Sequence, residues 1–294
     1  MESSQNRHKY RQLIQAITHT SARIEQAQKA DLSSAEFEPI INMLQKMSPS
    51  PSLNLTHCNL SNLSDAELSS LMHTIGKKHI TELDLSRNDL YQLRGTQLAH
   101  VVDELKFMRT LTNLSLRGNF LRSLTPADWR QWGNVLRNIK KLNIGKNRLG
   151  ETHLRQEALM DSKSWQALTN ELSASCIEHL NLSDNLLNRI NDREIWRMIA
   201  RTIAHMRSLK SVNLCGNHLI LGQRNFLEIL AEGFVRNTNH PTIIIDWEDD
   251  EKFWLDLHNQ CNVKVVYPKT RNPKPRVITH PTDAFSLHVY DLDA

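Results

Sequence analysis

The stretch 111-LTNLSLRGNFL-121 sets leucines at 111, 114, 116 and 121 around an asparagine, Asn119, which that spacing turns inward. Within 114-LSL-116, alternation of period two sends Leu114 and Leu116 to one face of a short strand and Asn113, Ser115 and Arg117 to the other. The arrangement recurs as 80-ITELDLSRNDL-90, 139-IKKLNIGKNRL-149, 177-IEHLNLSDNLL-187 and 209-LKSVNLCGNHL-219, with a partial copy in 53-LNLTHCNL-60. The inward polar slot therefore holds Cys58, Asn88, Asn119, Asn147, Asn185 and Asn217, at successive separations of 30, 31, 28, 38 and 32 residues. A period of this length is the mark of stacked repeats. One further step of 31 reaches Glu248, where Ile243 and Ile245 keep the apolar pair and the amide is gone, as in a last, degenerate repeat.

Between the strands, 98-LAHVVDELKFM-108 puts Leu98, Val101, Val102, Leu105 and Met108 on one helical stripe, and 195-IWRMIARTIAHM-206 does the same with Ile195, Ile199, Ile203 and Met206. Ser64 with Glu67 reads as a capping box, and Asp128 and Asp192 suit the positive end of a helix dipole. The pattern L-x-x-L-x-L-x-x-N/C-x-L at this spacing resembles the leucine-rich repeat, over residues 51–248. That resemblance implies an α/β fold, a horseshoe solenoid with a concave parallel β-sheet and convex helices, and the unit length is similar to that of the ribonuclease-inhibitor-like subclass. A chain that turns sharply after each strand leaves backbone N–H and C=O groups facing inward. A buried amide serves both, where an unpaired group would cost about 1–3 kcal/mol. Cys58, a weaker donor, predicts a looser first turn.

Residues 1–50 read as a helical N-terminal cap, with Leu13, Ile14 and Ile17 on one helix face and Ile40, Ile41 and Leu44 on another. Residues 249–267 read as the C-terminal cap: 250-DEKFWLDL-257 has helical spacing and 263-VKVVY-267 predicts an added edge strand. Residues 268–294, opening with the proline- and base-rich 268-PKTRNPKPRVITHP-281, read as an extended tail. The 38-residue step contains 150-GETHLRQEALMDSKSW-165, read as a tolerated insertion ahead of a binding protrusion.

Several chemistries are not written in this chain. A net charge of +4 without clustered basic residues, and 6% aromatic content, argue against nucleic acid. Phosphate loops, zinc-protease helices, nucleophile elbows and paired cysteine ligands are not found, so no cofactor, metal or catalytic residue is expected and the protein reads as non-enzymatic. His258 and Cys261 are too few for a zinc site. The four cysteines are scattered, no window approaches a membrane span, and the N-terminus lacks an apolar signal region. These points predict a soluble, cytoplasmic monomer outside the Sec pathway. The five N-x-[ST] triplets, at Asn54, Asn59, Asn62, Asn113 and Asn181, follow largely from the repeat itself.

On the outward strand face, small polar residues dominate, and Arg87, Arg117, Lys141 and Lys146 form a basic zone partly balanced by Glu82 and Asp84. With His179, Asp184 and Trp247, the last within the acidic run 246-DWEDDE-251, they are the candidate partner-binding residues. Solvated charge and a cap tryptophan are the plainer reading of the same residues. The functional expectation is a protein-interaction scaffold binding a partner protein through its concave face. Its organisation is similar to that of bacterial leucine-rich-repeat effectors exported into host cells without a signal peptide, for which the tail would serve as an export signal. The alternatives are the substrate-recognition part of an enzyme such as a ubiquitin ligase, for which residues 249–294 are too short to supply the catalytic domain, or an inhibitor of a host enzyme.

Overall fold

A computed structural model describes residues 10–13, 15–17, 37–47, 50–93, 95–151, 160–219, 224–245 and 265–266. Seven three-residue strands, β1 (Ser52–Asn54), β2 (Glu82–Asp84), β3 (Asn113–Ser115), β4 (Lys141–Asn143), β5 (His179–Asn181), β6 (Ser211–Asn213) and β7 (Thr242–Ile244), are followed by the shorter β8 (Val265–Val266). They form one eight-stranded sheet in sequence order. Every neighbouring pair is parallel, in a register that stacks Leu53, Leu83, Leu114, Leu142, Leu180, Val212 and Ile243 in one column. All seven are buried. Such a register follows from the repeat, since a slip of one residue would turn every leucine into solvent.

Behind the sheet lie α3 (Asp65–Gly76), α4 (Thr96–Phe107), α5 (Pro126–Leu136), α6 (Ser162–Ser173), α7 (Arg193–His205) and α8 (Arg224–Arg236). Their buried stripes are the expected ones, joined by Trp129, Trp132, Trp165 and Trp196. Ser64 and Glu67 form the capping box of α3, Thr125 and Asp128 form another on α5, and Asp161 and Asp192 cap α6 and α7. On the N-terminal side, α1 (helical at 10–13 and 15–17) and α2 (Glu38–Lys46) bury Leu13, Ile17, Ile40, Ile41 and Leu44. Lys78 Nζ ties α2 down by donating to the carbonyls of Gln45 at 2.8 Å and Met47 at 3.0 Å. On the C-terminal side β8 extends the sheet, where an edge strand was expected. Ile14, the expected helix at 250–257 and the tail 268–294 lie outside the described residues.

The inward asparagines form a continuous ladder. Asn88, Asn119, Asn147, Asn185 and Asn217 have no solvent exposure. The Oδ1 atoms of Asn119, Asn147, Asn185 and Asn217 each accept the backbone N–H of the asparagine one repeat earlier, at 2.8–2.9 Å, and that of the residue two further on, at 3.2–3.4 Å. Each amino group donates to the strand carbonyl of its own repeat and to that of the preceding one. Both hydrogens and both lone pairs of the amide are thus used. Cys58 ends the ladder: its Sγ makes only long contacts, 3.7 Å to the Thr56 carbonyl and 3.8 Å to that of Gln12 in α1.

Short 3-10 turns, Leu60–Asn62, Leu90–Gln92, Leu121–Ser123 and Leu187–Arg189, lead from strand to helix in four repeats. The repeat of Asn147 differs. After Leu149 its path is held by Glu151, 2% exposed, whose carboxylate meets Arg122, Arg148 at 3.1 Å and Arg189 at 3.5 Å. Residues 152–159 of the long step lie outside the described residues.

Candidate partner-binding face

The concave face is lined by the residues that alternate with the buried leucines. Much of it proves architectural. Asn54, Asp84, Asn143, Asn181 and Asn213 each accept the backbone N–H two residues on, at 2.8–3.0 Å, closing an Asx turn at the end of every strand but β3 in this series. Ser115 occupies that position in β3 and pairs with Ser86 instead, Oγ to Oγ at 2.8 Å. Asn113 donates to Glu82 at 2.6 Å. Side chains that alternation alone left open for binding are therefore already engaged.

The positions just before and just after the inward polar slot have left-handed backbone: His57, Arg87, Lys146 and Asp184 before, with Asp89, Phe120, Arg148 and Leu186 after. The rim side chains run along the solenoid between repeats. Arg87 Nη1 donates to His57 Nε2 at 2.8 Å, an arginine having nothing to accept with. Arg117 reaches further. Its Nη1 donates to Ser183 Oγ at 2.9 Å and its Nη2 to Asp184 Oδ2 at 2.7 Å, so that it crosses the whole repeat between β3 and β5. Gly145 makes the crossing possible, because a Cβ there would stand 2.8 Å from Arg117 Nη1 and 2.9 Å from Ser183 Oγ.

Two of the sequence-nominated residues, Arg117 and Asp184, are thus brought together as each other's partners. Lys141 and Lys146, on the repeat that Arg117 crosses, are exposed and enter no ion pair among the described residues. His179 is the register partner of Lys141 and half-buried, with Nδ1 2.8 Å from Ser211 Oγ. Burial, then the neighbouring Lys141 ammonium, holds its imidazole below the usual histidine range, so it is neutral at pH 7. Trp247 and the 246–251 acidic run lie outside the described residues.

The sequence reading missed Glu178, which lies just before β5 between Lys210, at 2.6 Å, and Lys140, at 3.9 Å. The Lys210 hydrogen bond holds its carboxyl below the ordinary range. The signal was in the same alignment, one column earlier: Thr81, Thr112, Lys140, Glu178 and Lys210 precede successive strands. Ser183 and Gly145 share the outward column of Arg117 in the repeat, but nothing in spacing alone joins them to it. Among the described residues no group of histidine, cysteine and carboxylate side chains is assembled to hold a metal, and no helix is long and apolar enough to cross a membrane.

The fold is the leucine-rich-repeat solenoid, with concave parallel sheet and convex helices. Among solved structures the chain is similar to the leucine-rich repeat-containing protein LegL7 from Legionella pneumophila, at 20% identity and a TM-score of 0.60, over 92% of this chain and 91% of that one. No family model matches the chain, and no curated protein matches it.

Proposed function

We propose that this protein is a non-enzymatic scaffold that binds a partner protein on its concave face, centred on the repeat of β4. The observation that carries this reading is the pair Lys141 and Lys146: two exposed cations on one repeat, with no internal ion-pair partner among the described residues. Ammonium groups left unpaired inside a concave, rigid surface attract and orient an acidic segment at little conformational cost to the protein. The leucine-rich-repeat architecture supports the same reading, since stacked repeats create an extended concave surface with few moving parts. Within it, the likeness to a Legionella pneumophila protein supports a bacterial effector whose partner is a host protein, delivered without a Sec signal peptide.

The test is Lys141→Glu/Lys146→Glu, used with the wild type as bait in a host-cell lysate, with bound proteins identified by mass spectrometry. Specific proteins retained by the wild type and lost from the double variant, with an unchanged melting temperature, are expected. Equal retention by both would place the binding surface elsewhere.

A further inference from the structure

Three cations gather on the repeat of β4. Gly145 contributes no side chain to the floor, and Arg117 lies across it with Lys141 and Lys146 on the same repeat. Against these three cations stands one carboxylate, Asp184, which engages Arg117 through Oδ2 alone. Its other oxygen lies over Gly216, in space that a Cβ there would fill. The second guanidinium edge is given to the hydroxyl of Ser183. Arg117 is therefore positioned without receiving the two parallel carboxylate bonds that its fork is shaped for. The Arg117 and Asp184 side chains remain 30% and 42% exposed, so water and an incoming group both reach the pair. Glu82 is bonded by Asn113, Asp84 by the Ser86 N–H, and Glu178 by Lys210, which leaves Asp184 as the carboxylate that competes at this point.

We propose that Asp184 occupies the place of a partner's acidic side chain: a glutamate or aspartate from the partner enters at the exposed Arg117–Asp184 pair, takes the Arg117 fork in bidentate fashion and releases Asp184, while Lys141 and Lys146 receive flanking carboxylates. Arg117 is then the residue that specifies an acidic segment, and Asp184 sets how acidic it must be to bind. The proposal rests on the concave face being the docking surface and adds the chemistry of what docks.

The experiment uses the full chain and a fluorescein-labelled oligoglutamate peptide, read by fluorescence anisotropy at low ionic strength. Asp184→Asn is expected to tighten binding about fivefold, the scale of one exposed ion pair. Glu82→Gln, which removes the same charge two strands from β4, is expected to change it by less than about twofold. Arg117→Gln should weaken binding and, combined with Asp184→Asn, should erase the gain that Asp184→Asn gives alone. Gly145→Ala, checked for folding by circular dichroism, should weaken binding by crowding Arg117 Nη1 and Ser183 Oγ out of their places. Equal gains from Asp184→Asn and Glu82→Gln, or a gain that survives Arg117→Gln, would overturn the proposal by reducing the effect to net charge. That failure is separable from failure of the docking surface, which is read from partner retention by the Lys141→Glu/Lys146→Glu variant.

Discussion

Asn119 is joined to Asn88 at both ends of its amide. Its Oδ1 accepts the Asn88 N–H at 2.8 Å, and its amino group shares the Leu85 carbonyl with the amino group of Asn88, at 2.9 and 3.0 Å. Repeated from Asn88 to Asn217, the relationship couples each turn to the next, so that the stability of one repeat depends on the amide of its neighbour.

Replacing Asn119 separates the two functions of that amide. In Asn119→Leu the N–H groups of Asn88 and Leu90 lose their acceptor inside the protein, whereas the Leu85 and Leu116 carbonyls keep a bond from Asn88 and Asn147. A loss of about 2–4 kcal/mol is expected, from two unpaired buried donors. Asn119→Asp keeps the acceptors but turns a carboxylate towards carbonyl oxygens in the interior. Burial would raise its folded pKa, so the native state binds the proton more tightly and stability falls as pH rises past the ordinary aspartate range. Relative to the wild type at each pH, urea midpoints should therefore show Asn119→Asp more destabilised at pH 7 than at pH 5, with Asn119→Leu destabilised equally at both.

Glu151 is the second interior polar centre. One carboxylate, 2% exposed, faces Arg122, Arg148 and Arg189, of which Arg122 is 8% exposed and the other two are 41% and 54% exposed. Glu151→Gln leaves guanidinium charge without its counter-ion and should cost about 3 kcal/mol, the scale of breaking a buried pair. Arg189→Ala removes a contact that water already shares and should cost less than about 1 kcal/mol. Thermal melts of the two variants check the contrast.

The parts of this molecule that were legible in the sequence are those that repeat. Leu114, Leu116 and Asn119 recur with a period, and a pattern that recurs six times in one chain identifies the environment of its residues; strand register, helix stripes and the asparagine slot all follow. The 3-10 turns were not legible, because Leu121 and Leu187 serve the apolar pattern whether or not the backbone tightens there. The site was less legible for a related reason. Alternation marks Arg117 and Asp184 as facing outward, and both do. That Arg117 spans the repeat to meet Asp184 depends on the left-handed backbone at Asp184 and on the missing side chain at Gly145, neither of which periodicity reports. Glu151 falls outside the repeated pattern, so its burial had no sequence signal beyond its place at the start of the long step.

His179 gives the face a pH dependence with a defined sign. Its folded pKa is depressed, first by burial and then by Lys141, so the unfolded chain takes up the proton more readily. The stabilisation is fully present above the unfolded value of 6.5 and is lost as pH falls through the lower folded value. His179→Gln should flatten the stability profile over that acidic window. Lys141→Gln should raise the His179 pKa followed by its imidazole proton resonances in NMR; an unchanged value would mean that burial and Lys210 are responsible.

Thiol reactivity separates the interior from the surface without altering the protein. Cys58 is buried beneath the first repeat, and burial, with the Asp84 carboxylate adding to it, pushes its thiol from 9.0 up to about 12. Cys176 is exposed. Because the thiolate is the attacking form, Cys176 should be alkylated by iodoacetamide at pH 8 at the rate of an open thiol, and Cys58 only after denaturant is added. Peptide mass spectrometry assigns the label to each cysteine. The same shift has a consequence for stability: above pH 9 the unfolded chain releases the Cys58 proton while the folded one retains it, so stability should fall between pH 9 and 12. Cys58→Ala should remove that contribution to the alkaline loss. If native Cys58 reacts as fast as Cys176, α1 does not cover the first repeat in solution.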